Sequence, residues 1–102
     1  MLLQSLYPTY HTQGLEIIGA VFEDNSGNPA TLTFAKSYAS RYGWTFPAVV
    51  DNTFQLGAYF DKAAAPMNMY VDLTTMEILA IELGFNSEME TDIQYYLSQI
   101  ER

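Results

Sequence analysis

The run Ala63-Ala64-Ala65-Pro66-Met67-Asn68-Met69-Tyr70-Val71-Asp72-Leu73 constrains this chain more than any other. A proline ahead of a β-rich run has no N–H to give a central ladder, so it belongs at a strand's first residue, where a tight turn or a cis peptide is the usual companion. Pro66 is therefore expected to open a strand. The polar link from Asp72 to Met76 is short enough to return the chain at once. The next apolar run, Glu77-Ile78-Leu79-Ala80-Ile81-Glu82-Leu83, is then its antiparallel partner.

Around that hairpin the chain reads as alternating helices and strands. Leu2, Leu3, Leu6, Tyr7 and Tyr10 recur at helical spacing and predict a helix over residues 1–13 that stops near Gly14, with Pro8 either kinking it or marking its start. Residues 15–22 are apolar, rich in β-branched side chains and charged only at Glu16, which predicts a strand buried on both faces. Residues 23–28 form a loop. Asn28 and Pro29 supply an N-cap and a first-turn proline for a helix to about Tyr42, ended by Gly43. Phe46 to Asp51 is a short strand whose proline suits a sheet edge, and Asp51 to Thr53 offers caps for a short helix over 54–60. After a turn at Gly84-Phe85-Asn86, Ser87 and Glu90 have the spacing of a capping box. They open a last helix over about 88–100, with Met89, Ile93, Tyr96, Leu97 and Ile100 on its buried stripe.

Composition excludes several functions. With 102 residues, 49% hydrophobic and 15% aromatic, the expectation is one globular domain spanning residues 1–102. Twelve acidic side chains against Lys36, Arg41, Lys62 and Arg102 give a net charge of -8, which repels nucleic acid and anionic lipid. No apolar run reaches the roughly 20 residues needed to span a bilayer. Cysteine is absent, so these residues contain no disulfide, thiolate nucleophile or cysteine metal site, and the lone His11 builds no histidine cluster. No cofactor motif and no metal set is present: the loop from Asp24 to Asn28 is too short for a calcium loop and lacks its closing glutamate.

The element order, together with Gly14-Leu15-Glu16-Ile17-Ile18-Gly19-Ala20, Phe46-Pro47-Ala48-Val49-Val50-Asp51 and Ala65-Pro66-Met67-Asn68-Met69-Tyr70-Val71-Asp72, resembles the thioredoxin-like redoxins. The nearest branch is that of TlpA-type thiol-disulfide oxidoreductases and the alkyl hydroperoxide reductase/thiol-specific antioxidant group. The resemblance implies an α/β thioredoxin-like fold with a central mixed β-sheet flanked by helices. It also implies a bacterial periplasmic or cytoplasmic setting, without choosing between them.

By the same resemblance the chain is truncated at its N-terminus, inside the active-site helix, without the central strand and the Cys-x-x-Cys or peroxidatic cysteine that precede it in the family. Ala65 and Pro66 match the family's substrate-facing cis-proline loop and are the candidate peptide-binding residues; catalytic and metal residues are none. Two readings stay open: a redoxin polypeptide that is catalytically silent for want of cysteine, and a cysteine-free module that uses strand edges or the Pro66 loop to capture an extended peptide. For a sheet lacking its central strand, three repairs are available: direct pairing of residues 15–22 with 67–73, a strand from another chain, or a strand-swapped homo-oligomer.

Other residues have simpler expected roles. His11 is expected at a solvent-facing helix end, Glu23 and Asp24 in a solvated loop, Glu88, Glu90 and Asp92 as first-turn charges, and Asp51 and Asp72 as turn caps. The tyrosines and Trp44 are expected in packing, and Met67, Met69 and Met76 as gap fillers.

Overall fold

The structure is a computed structural model that describes residues 2–84 and 86–100. Contacts gather into two compact units, Met1–Leu56 and Gly57–Arg102, each taken by itself below. The element order is helix, strand, helix, strand, two 3-10 turns, two strands, helix. The parallel and antiparallel pairings expected of a mixed sheet are both present, in two two-stranded ladders.

In the first unit, α1 (Leu2–His11) runs through Pro8 rather than starting there, and Pro8 is exposed. The helix is held by its face: Leu6, Tyr7 and Tyr10 are buried, and the Tyr7 ring lies edge-on to Phe46 at 5.7 Å. Gln4 adds a two-point clasp, its amide donating to Thr45 Oγ1 at 2.8 Å and its Oε1 accepting from Thr45 N–H at 2.7 Å. Gly14 has φ 108, a left-handed value that favours glycine, and donates to His11 O.

The strand expected over residues 15–22 shrinks to β1 (Gly19–Val21), and of its three residues Val21 alone is buried. Leu15 N–H donates to Tyr10 O, which ties the preceding segment to the helix end instead of to a ladder, and Ile18 is 67% exposed. β1 pairs in parallel with β2 (Ala48–Val50), Gly19 opposite Ala48 and Val21 opposite Val50. A three-residue partner limits the ladder to three pairs. Gly19 is where the Trp44 ring closes on the backbone, since a β-carbon there would lie 2.8 Å from Trp44 Cη2.

Helix α2 (Leu32–Arg41) starts later than expected. Asn28 and Pro29 belong to a tight return in which Asp24 Oδ1 accepts from Ser26 and Asn28 N–H, and Pro29 bridges to Glu23. The N-cap is Thr31, whose Oγ1 accepts from Phe34 N–H at 3.1 Å. Buried Ala35 turns α2 onto Val21 and Ala30, with Phe34, Tyr38, Trp44 and Val50 packed around them. The helix over 54–60 is instead a 3-10 turn, Gln55–Ala58. Asp51 caps it as expected, Oδ1 accepting from Gln55 N–H at 2.7 Å and Oδ2 from Leu56 N–H at 3.0 Å.

In the second unit the hairpin forms as expected: β3 (Met67–Asp72) pairs antiparallel with β4 (Glu77–Leu83), and Ala65–Pro66 is a cis peptide. Register shifts by one between Tyr70 and Val71, leaving Leu79 as the extra residue on β4. Asp72 caps the turn, Oδ1 accepting from Thr74 N–H. Met76 is no gap filler: it is 69% exposed at φ 61, where it closes the turn by donating to Asp72 O. Helix α3 (Met89–Gln99) buries Met89 and Ile93. The N-cap residue is Glu88 rather than Ser87 and carries no side-chain cap, while Asn86 Oδ1 accepts from Glu88 N–H. Parts of the expected first helix, the Gly84–Asn86 turn and the C-terminus fall on Met1, Phe85, Glu101 and Arg102, outside the described residues.

Candidate functional site

The Pro66 loop is built by the residues before it. Asp61 Oδ1 accepts from Ala63 N–H at 2.9 Å and starts a 3-10 turn, Lys62–Ala64. Ala65 N–H donates back to Lys62 O at 3.1 Å, and Ala65 then leaves in an extended conformation, φ -63 and ψ 148. Ala65 and Pro66 are both exposed. Pro66 O accepts from Gly84 N–H at 2.7 Å, so the β3–β4 ladder starts at the proline.

That bond also fixes which backbone groups face which way. Pro66 and Gly84 continue the register of Met67 with Leu83 as a hydrogen-bonded pair, and such pairs alternate along an antiparallel ladder. Asn68/Glu82 and Tyr70/Ala80 are the next ones. The N–H and C=O groups of Met67 and Met69 therefore point to the edge away from β4, and β4 is β3's one ladder partner among the described residues.

A second constellation lies on the hairpin face that carries Tyr70 and Glu82. The Tyr70 ring stacks at a tilt on Tyr96 of α3, 4.9 Å between centroids. Asn86 Nδ2 donates to Glu82 Oε2 at 2.9 Å and to Asp92 Oδ2 at 2.8 Å, which fastens β4 to the first turn of α3. Tyr70 Oη and Glu82 Oε1 are out of solvent and neither makes a well-aligned hydrogen bond among the described residues. Burial, and after it the charge of Glu82, raises the Tyr70 phenol above its ordinary value. Sequence reasoning placed Asn86 in a turn and Asp92 at a cap and missed their joint role. The available signal was Glu82, a carboxylate inside an apolar strand.

The remaining candidates stand apart from both. His11 is exposed, with Nδ1 3.0 Å from Leu15 O and 3.3 Å from Glu16 Oε1, a surface contact at a helix end. Tyr38, Tyr42, Trp44 and Phe46 form a chain of ring contacts in the first unit, with Trp44 stacked on Phe46 at 4.8 Å. Among the described residues no three His, Asp or Glu side chains converge on a metal position, and no helix is long and apolar enough to cross a membrane.

No family model matches the chain. It is similar to the thiol-disulfide oxidoreductase ResA of Geobacillus kaustophilus, 30% identical over 98 residues that make up 96% of this chain and 51% of that protein. The chain thus spans about half the length of the curated relative it matches. The mixed α/β elements in this order are those of a thioredoxin-like fold.

Proposed function

We propose that these residues are the scaffold portion of a thiol-disulfide oxidoreductase or peroxidase of the TlpA or antioxidant branch, and that by themselves they are catalytically silent. The observation that carries the reading is a likeness to an oxidoreductase over 98 residues that include no cysteine. Thiol-disulfide exchange needs a thiolate to attack a disulfide sulfur, and no side chain present can take that part. The contribution of this scaffold is positional: it sets the exposed Ala65–Pro66 loop at the head of β3, where backbone groups can align an extended substrate. Insulin reduction and peroxide consumption by the purified 102-residue chain test the silence. Both are expected at the buffer rate, and turnover above it overturns the proposal.

The outward backbone groups of Met67 and Met69 favour a second reading, a binding module that takes an extended segment from a peptide or a second copy of the chain. Sedimentation over a wide concentration range, with titration of unstructured peptides, separates the two. Self-association or peptide binding supports capture, and a strict monomer that binds none removes it.

A further inference from the structure

Beyond the redoxin reading, one face of α2 carries a small cavity of its own. It measures about 210 Å³ and is lined by Asn25, Phe34, Ser37, Tyr38, Arg41 and Tyr42, all within the first unit. Phe34, Ser37, Tyr38 and Arg41 follow the three- and four-residue spacing of one helix face, which is why they meet. The wall is aromatic: Phe34 and Tyr38 centroids are 6.1 Å apart, and Tyr38 and Tyr42 4.7 Å. Arg41 rims it, with Cζ 5.8 Å from the Tyr42 centroid and no carboxylate at ion-pair distance among the described residues.

Charge sets the sign of what could enter. Arg41 is the one charged side chain among the lining residues, and the nearest acidic residues in sequence, Glu23 and Asp24, lie in the adjoining loop, where Asp24 Oδ1 already accepts from the Ser26 and Asn28 N–H groups. The partial negative charge at the C-terminus of α2 is small beside a full guanidinium. Its carbonyls are also engaged, Tyr38 O, Ala39 O and Ser40 O accepting from the N–H groups of Tyr42, Trp44 and Gly43.

Size sets the rest. The pocket opens to solvent and is smaller than the roughly 300–1,000 Å³ of drug-sized pockets, so one ring is enough to fill it. We propose that this cavity binds a single-ring aromatic carboxylate, the carboxylate paired with Arg41 and the ring against Tyr38 and Tyr42. A guanidinium fork matches a carboxylate in two-point geometry, aromatic faces hold the ring, and the Ser37 hydroxyl and Asn25 amide supply further polar contacts.

The test is an NMR titration of the full chain with benzoate as probe, following backbone amides and the Arg41 side chain. Saturable shifts confined to residues 25–42 are expected. Acetate, which lacks the ring, and benzyl alcohol, which lacks the charge, should each bind at least about tenfold more weakly. Arg41→Gln should weaken benzoate binding by a similar factor, while Lys36→Gln leaves it unchanged; both positions are exposed, and the amide spectrum reports that the variants are folded. Absence of saturable shifts, or equal binding by the Arg41→Gln variant, overturns the proposal.

Discussion

Tyr70 shows how one residue couples a strand to a helix at some cost. Its ring is packed on Tyr96, yet its hydroxyl lies out of solvent without a well-aligned hydrogen bond, beside Glu82 Oε1 in the same condition. A buried hydroxyl that makes no well-aligned hydrogen bond forfeits its hydration, so removing it is neutral or favourable. Tyr70→Phe is expected to leave stability at pH 7 unchanged or to raise it by up to about 1 kcal/mol. The pH dependence has a definite direction. Because the folded phenol keeps its proton to higher pH than the unfolded one, its contribution is full below about pH 10 and is lost as pH rises beyond that. Urea melts monitored by circular dichroism at rising alkaline pH should show that decline in the parent chain and a weaker one in Tyr70→Phe. Equal declines in the two would refute the assignment.

Elements differ in how plainly the sequence announces them. The Pro66 hairpin is legible as an antiparallel pair, because the proline position and the short polar turn both point to it, whereas its register, with the shift between Tyr70 and Val71, is not. Asp51 and Asp72 were legible as caps, since a carboxylate after a strand has backbone N–H groups within reach two to five residues on. The start of α2 was misjudged because Asn28-Pro29 satisfies a helix entrance and a tight return equally well. The bridge between Glu23 and Pro29 decides for the return. Ser87 is passed over as well, because the helix takes Glu88 as its N-cap residue and makes no side-chain cap there. Asp51→Ala removes two acceptors from the turn after β2 and is expected to cost about 1–2 kcal/mol. Trp44, the sole tryptophan, lies in the same unit and reports the unfolding by fluorescence. An unchanged urea midpoint would mean that solvent replaces Asp51 without loss.

At the scale of the whole molecule, charge is the clearest long-range property. Twelve acidic and four basic side chains leave -8, and like charges repel most in a compact chain. Raising sodium chloride from about 0.1 M to about 1 M shortens the Debye length from about 10 Å to about 3 Å, so the melting temperature should rise. A fall would show that specific charge pairs outweigh the general repulsion.

Sequence alone determined the element order, the antiparallel Pro66 hairpin, the sign of the net charge and the absence of thiol chemistry within these residues, all of which rest on local periodicity or on residue identity. Tertiary structure decided the length of β1, the Thr31 start of α2, the Asn86 clasp between Glu82 and Asp92, and the aromatic cavity at Arg41. Each of these depends on which of several equally capable donors, acceptors or rings comes within reach. That competition is settled in the folded chain, by neighbours a few residues away, as at Asn86, or by segments far apart in the chain, as when Gln4 closes on Thr45.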